Sequence, residues 1–410
     1  MKKLFLIAGS FLIVCCASAQ QTLTLKNILE NIEKNNPLLK SYGNKISADS
    51  AMVGSAKAWL PPKVGLELDN NPYSFDKFYS GIARFSFAQD FPNGKVISAK
   101  TDYLESLSQI DMNESMYQRN KLFSQAKEAY YGIYIAQKNV QILKESIEVI
   151  NSMIELAEKQ MATGKGDMAA IFKLKAKLPE KETKLVHDEN MIKSYMATVN
   201  YLMSADVNQE FTIDTNNIAK DYKKLIFIYN KDSIECKRSD IMQMSSLINS
   251  MKLNQTVISM RSKPTFGILA RHYDVARKPD MFSIMGTMVI PIAPWSARGY
   301  KSEAKAMEFR IASMKEEKEN MVNMTSQKIK MLVIEMNSEY QEIDNYTKKV
   351  LPAYKKSFDV YLLGFKQNTS DLFMVLMAFD DLQMAQMEYI NHLETLLKVQ
   401  VNYEKELQIR

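Results

Sequence analysis

Histidine is nearly missing. The 410 residues hold three, His187, His272 and His392, each in a different segment, so no catalytic or metal-ligating cluster is visible. Cysteine is equally scarce: Cys15, Cys16 and Cys236 are the whole set, which excludes a disulfide-built scaffold. No apolar run reaches the roughly 20 residues that a membrane-crossing helix needs. The net charge of +6 is spread along the chain, which leaves no basic patch for nucleic acid and suits solvated helical faces. Gly164-Lys165-Gly166 lacks the first glycine and the Ser/Thr of a phosphate loop. Asp380-Asp381 and the segment Lys315 to Glu319 read as solvated helix faces rather than paired catalytic carboxylates. The chain offers no candidate enzyme site, cofactor site or metal site.

What it does have begins with a leader. Lys2 and Lys3 form a basic start, Leu4 to Val14 an apolar stretch, and Ala17-Ser18-Ala19 an A-x-A cleavage site. Residues 1–19 are therefore expected to be a removable signal peptide. Cys15 and Cys16 raise the question of a lipid anchor, but Val14 stands where a lipoprotein site wants a small residue. Cleavage before Gln20 leaves one cysteine, Cys236, and a net charge of +4.

The body of the chain is organised around one stretch. Leu122, Ala126, Ala129, Ile133, Ala136, Val140, Leu143, Ile147, Ile150, Ile154, Ala157 and Met161 alternate spacings of four and three without a break. Such a seam implies supercoiled helix packing. A helix from 98 to 163 would be about 100 Å long at ~1.5 Å per residue. A rod of that length belongs to a stalk, a bundle wall or a tube.

Upstream, helical sequence from Leu23 breaks at Asn35-Asn36-Pro37 and stops at Leu60-Pro61-Pro62. The period then drops to two. Strands are expected over 63–69 and 81–91, with Ala83, Phe85 and Phe87 on one face and Arg84, Ser86 and Ala88 on the other. After the long helix comes a reversal at Thr163 to Asp167. Gly164 suits a left-handed helix end and Asp167 can cap the next helix, 167–204. Residues 206–228 lose periodicity and read as a connector.

The order then repeats. A helix up to Arg261 ends at Pro264, strands are expected at 265–273 and 281–290, and a long helix at 298–365. Its seam runs through Ile329, Val333, Met336, Tyr340, Ile343, Thr347, Val350 and Tyr354, with a kink expected at Pro352. A second reversal, 365–371, leads to a last helix, 370–407. Gly164 to Asn368 and Asp167 to Asp371 are both 204 residues, and Pro61 to Pro264 is 203. Both reversals read apolar-x-x-(Gly/Asn)-x-x-Asp. The chain is thus an internal duplication, 20–205 and 229–410, of helix, two strands, long helix, turn and helix.

Strands of this length match those that cross a membrane at a tilt, where open sheet edges are not viable. Four strands cannot close a barrel, so two, three or four copies must contribute 8, 12 or 16 strands. Trp59 and Trp295, the only tryptophans, lie at helix–strand junctions, where membrane-interface anchors or ordinary packing residues would sit. Tyr73, Phe75, Phe78 and Tyr79 could form a matching outer girdle. The 27 methionines include Met321/Met324 and Met384/Met387 at helical spacing and Met281, Met285 and Met288 in one strand. They serve as flexible filler or, in a sharper reading, as soft ligands for Cu(I) or Ag(I).

The duplication, the prolines ending each first helix, the paired strands and the Gly/Asn-x-x-Asp reversals resemble the outer-membrane efflux protein family, the TolC-like channels, over essentially the whole mature chain. The resemblance implies a homotrimer, with a 12-stranded β-barrel in the outer membrane joined to a long-helix α-barrel in the periplasm. It also implies a periplasmic adaptor and an inner-membrane pump as partners and passive export of solutes through the lumen; the cargo is left open, with drugs or heavy metals such as copper or silver as candidates. Gly164, Lys165, Asp167, Lys366, Asn368 and Asp371 would then line the periplasmic aperture, the two aspartates also serving as helix caps. The competing reading is an exported structural coiled-coil protein without transport activity.

Overall fold

A computed structural model describes residues 22–73, 81–162, 164, 167–215, 218, 231–275 and 278–409. The expected signal peptide with Cys15 and Cys16, the girdle residues Phe75, Phe78 and Tyr79, Lys165 and most of 216–228 lie outside the described residues. The elements are β1 (Thr22–Leu23), α1 (Leu25–Asn35), α2 (Pro37–Met52), a 3₁₀ turn (Val53–Lys57), β2 (Lys63–Asp69), β3 (Ile82–Phe91), α3 (Gly94–Ala162), α4 (Met168–Met203) and β4 (Thr212–Ile213). There follow α5 (Lys231–Lys237), α6 (Ser239–Met260), β5 (Thr265–Val275), β6 (Met281–Val289), α7 (Pro294–Asn345), a π turn (Tyr346–Val350), α8 (Leu351–Lys366) and α9 (Leu372–Leu407). Among the described residues, no helix is long and apolar enough to cross a membrane.

Compactness groups the chain into two units, each drawing on both halves of the repeat. The first comprises the described parts of 1–34, 125–224 and 337–398. Its core joins Ile150, Met153 and Ala157 of α3, Ile171 and Leu174 of α4, Phe358 and Phe365 of α8, and Val375, Leu376 and Phe379 of α9. Within the expected seam of α3, Val140, Ile147, Ile154 and Met161 are half-buried and the other members are buried. A second stripe, Lys127, Tyr130 and Tyr134, is buried as well, so the helix has two packed faces rather than one. Gly132, the one weak helix former in this stretch, lies under a partner side chain. A Cβ there would come within 2.7 Å of the Tyr195 ring of α4.

The expected connector contains structure that periodicity could not show. Thr212–Ile213 pairs in parallel with Thr22–Leu23, Phe211 is fully buried, and the Tyr130 hydroxyl donates to the Asp214 carbonyl at 2.6 Å. Burial pushes the Tyr130 pKa up to about 12, so the hydroxyl remains a donor at physiological pH.

The second seam departs from expectation at the π turn. Pro352 has no N–H to give the carbonyl four residues back, and its ring crowds that carbonyl. The chain inserts an extra residue instead, and the Leu351 N–H bonds the Tyr346 carbonyl five residues back. One inserted residue moves every later position round the helix. Thr347 and Tyr354 are therefore exposed, and Phe358 and Phe365 are buried in place of the continued seam. The kink expected at Pro352 takes the form of this bulge.

The second unit comprises the described parts of 35–124 and 225–336, and 399–409. It holds an antiparallel sheet of order β2-β3-β5-β6. Helix α3 starts at Gly94 and α7 at Pro294, each about four residues earlier than expected: Asn93 caps α3, its Oδ1 accepting from the Lys95 N–H at 3.0 Å, and Pro294 is well placed at the first position of α7. The helix up to Arg261 is divided at Arg238 into α5 and α6. The duplication reaches side-chain detail: Gly65 faces Ser86 and Gly267 faces Thr287 across paired strands, each within 2.7 Å of a built Cβ.

Candidate functional site

Two places in the fold carry features that core packing does not require. The first is the pair of reversals in the helical unit. At the end of α8, the Asn368 N–H donates to the Phe365 carbonyl at 3.1 Å and the Thr369 N–H to the Gly364 carbonyl at 2.8 Å. With Asn368 at φ 59°, this is a Schellman closure. At the end of α3, Gly164 occupies the same position, with φ 75° and its N–H on the Met161 carbonyl at 3.0 Å. Asp167 then caps α4, its Oδ1 accepting from the Ala169 N–H at 2.8 Å. Asp371 makes the matching, longer contact with the Phe373 N–H at 3.4 Å.

The two reversals are neighbours. Gln160 of α3 donates from Nε2 to the Phe365 carbonyl at 2.9 Å, and Lys173 of α4 lies over the Phe373 ring at 5.3 Å. Farther along, Lys177 meets Asp380 at 2.6 Å and Lys181 meets Gln383 at 3.0 Å. Asp167, Lys366, Asn368 and Asp371 are all exposed, so the fold brings the candidate aperture residues it describes to one exposed end of the helical unit. Gly164 isolates a backbone effect, because a Cβ there would meet nothing within 4 Å. Gly164→Val is expected to destabilise the unit by about 1–2 kcal/mol through left-handed strain alone. Gly164→Asn should cost only a few tenths, since Asn tolerates this geometry. Equal losses for Val and Asn in thermal denaturation would contradict this.

The second place is the sheet. Register puts Val64, Phe87, Ala270 and Ile284 in one cross-strand row and Leu66, Phe85, His272 and Phe282 in another, all on one face. That face is exposed, Val64 to 80% and Ile284 to 70%. The opposite face is polar. Arg84 bonds Asp69, lies 3.3 Å from Glu67 and stacks 5.7 Å from the Tyr273 ring, whose hydroxyl pairs with Ser283 at 3.2 Å. Among the described residues, strands β2 and β6 are the two edges, each paired on one side only. Trp59 packs edge-on against Phe91 at 5.3 Å. Trp295 stands in the first turn of α7, and both tryptophans are exposed, as is Tyr73.

Sequence reasoning missed a third feature, a buried charge cluster in the second unit. Arg238 bonds Asp240 at 2.6 Å and also Glu406, which Lys328 meets at 2.5 Å. Beside it lies a surface cavity of about 480 Å³ reaching Met321, Met324 and Lys405. These residues are remote in sequence, and no local pattern joins them. Met321 packs into an apolar cluster with Val322 and Ile329, whereas Met324 and Met384 are exposed. Among the described residues, no three His, Cys, Asp or Glu side chains gather where they could hold a metal ion.

Neither a protein-family model nor a curated protein sequence matches the chain. Solved structures do. The outer-membrane channel OprN superposes with a TM-score of 0.78 at 13% identity, over 93% of this chain and 89% of that one. CusC, described as forming a transmembrane channel, gives 0.78 at 12%, over 93% and 91%. The outer membrane channel CmeC of Campylobacter jejuni gives 0.72 at 14%, over 93% and 85%. Shape conserved over nearly the whole length at so little identity fixes the architecture: the chain has the fold of the TolC-like outer-membrane channels.

Proposed function

We propose that the chain is the exit duct of a tripartite export system. Three copies close a 12-stranded barrel in the outer membrane, their helical parts lie in the periplasm, and solutes arrive from a periplasmic adaptor and an inner-membrane pump. The observation that carries this reading is the sheet: four strands, one apolar face open to the surroundings, and two edges without a partner strand. In water such edges and such a face invite aggregation. In lipid the face is stabilising, and the edges must be closed by further copies. The parity fits, because in an even, all-antiparallel sheet β6 of one copy runs antiparallel to β2 of the next. A structural coiled coil has no use for this face. The duct performs no chemistry, so it needs no catalytic group. Trp59 and Trp295 would sit at the periplasmic rim of the barrel.

The test is extraction and mass. The protein should leave outer membranes only in detergent and behave there as a trimer. A chain that washes off as a monomer would support the structural alternative. Cargo is assigned by complementation of a strain lacking its own duct. Restored tolerance to dyes and drugs indicates drug export, and restored tolerance to copper or silver alone indicates metal export.

At the aperture, three copies each of Asp167 and Asp371 would make the mouth cation-selective. Asp371→Asn keeps size and some capping ability, so it should weaken cation preference in planar bilayers without loss of assembly. Asp371→Ala should do the same and also loosen the start of α9 by about 1 kcal/mol. Unchanged selectivity in Asp167→Asn and Asp371→Asn together would leave both residues as caps only.

A further inference from the structure

The cavity beside the Arg238 cluster has no part in a passive duct. Its volume, about 480 Å³, lies within the range of small-molecule sites. The second unit supplies all of its walls, from α3, the start of α6, the middle of α7 and the end of α9. Its charges do not balance. Four cations, Lys121, Arg238, Lys328 and Lys405, share it with two carboxylates, Asp240 and Glu406. Those carboxylates hold Arg238 and Lys328. Among the described residues, no carboxylate pairs with Lys121 or Lys405. The surplus of two positive charges therefore sits on two different helices, α3 and α9.

Much of the remaining lining is apolar. Met321, Met324 and Met331 follow one another at spacings of three and seven, on one face of α7, and Tyr117 joins them from α3. Met324 and Met331 are well exposed, at 61% and 59%. Thioethers alone would suit a soft metal ion, but the surplus positive charge repels any cation. Met324 also lies 30 residues past the start of α7 at Pro294, about 45 Å along the helix at ~1.5 Å per residue. That is beyond the bilayer that the sheet would span, so a ligand reaches the cavity from solution. This one step rests on the duct reading.

We infer that the cavity binds an organic anion, an apolar body carrying a doubly charged head such as a phosphate monoester. The head pairs with Lys121 and Lys405, and the body lies against the Met324 and Met331 thioethers and the Tyr117 ring. The Asn120 amide and the Thr325 hydroxyl, both in the lining, serve as neutral donors to the remaining head oxygens. Such a ligand would tie α3 to the last turn of α9, beside the Arg238–Glu406 bond that fastens the same turn to α6.

The test is calorimetric titration of the full-length protein in a non-ionic detergent, with 2-naphthyl phosphate as the probe and a micelle-only titration subtracted. One saturable site per chain is expected. Lys121→Gln and Lys405→Gln should each weaken binding about tenfold, the usual effect of losing one charge-assisted hydrogen bond. Lys121 is exposed and Lys405 half-buried, so the variants should melt like the parent when no probe is present. Met324→Ser should weaken the probe but not inorganic phosphate, which lacks the apolar body and should bind about tenfold or more weakly than the probe. The 1-naphthylmethylammonium cation should not bind. In the parent protein alone, the probe should also slow proteolysis of the C-terminal residues. Absence of saturation by about 1 mM probe would overturn the inference. So would unchanged affinity in the double lysine variant, or equal affinity for inorganic phosphate or for the cation. The titration does not depend on assembly: a monomeric protein that binds as described would overturn the duct reading and leave this inference standing.

Discussion

Arg238→Met is expected to cost roughly 3–5 kcal/mol of unfolding stability, the usual effect of removing one partner from a buried ion cluster. Arg238 sits almost buried between two carboxylates, Asp240 and Glu406. Burial works against its charge, but the hydrogen bonds and charges of Asp240 and Glu406 outweigh it and raise the guanidinium pKa. Without the guanidinium, Glu406 keeps Lys328 alone, and Asp240 loses its 2.6 Å bond. The cluster fastens the last turns of α9 to the start of α6: the Ser239 N–H also donates to the Gln408 side chain at 3.0 Å. Limited proteolysis should therefore release the C-terminal residues of the variant first. A denaturation midpoint within 1 °C of the parent protein would show that the cluster contributes no net stability.

The same cluster sets a pH dependence. Burial raises the Glu406 carboxyl, but Lys328 and Arg238 overcome that and hold it below its ordinary value of 4.5. A carboxyl depressed by folding contributes stability above the unfolded value and loses it as pH falls through the folded one. The parent protein should thus lose this contribution below about pH 4.5. In Arg238→Met the depression is weaker, and protonation relieves the repulsion between Glu406 and Asp240. The stability gap between parent and variant should accordingly narrow on acidification.

Legibility in the sequence followed the range of the interactions. The α3 seam, the four strands and both reversals rest on contacts a few residues apart or on a strict period, and period and turn chemistry are written locally. Gly164 and Asn368 could be singled out because so few residues accept a positive φ. The π turn was half legible. Pro352 announced a disturbance, but whether the helix would bend or gain a residue depends on which phase buries Phe358 and Phe365. The β1–β4 pair and the link from Arg238 to Glu406 were illegible for one reason: Thr22 and Thr212 stand 190 residues apart and Arg238 and Glu406 168, with no periodic signal at either end.

Ile284→Arg is expected to abolish assembly in the outer membrane, whereas Met285→Arg, one residue along the same strand, should assemble. Adjacent side chains of a strand point to opposite faces. Ile284 lies in the row with Val64, Phe87 and Ala270, whereas Met285 pairs with Leu269 on the polar face. If the apolar face meets lipid, an arginine near mid-strand costs about 2–4 kcal/mol per copy, and three copies multiply that roughly threefold. On the opposite face, which carries the ion pairs of Arg84 with Glu67 and Asp69, the same arginine reaches water at little cost. The readout is the share of detergent-extracted protein running as trimer and resisting trypsin, with total expression as the control for synthesis. A structural coiled-coil protein in water predicts the reverse ranking, since a surface Ile284→Arg would improve solubility. Equal assembly of the two variants would mean that the apolar face meets protein or water rather than lipid, and the 12-stranded barrel would then have to be given up.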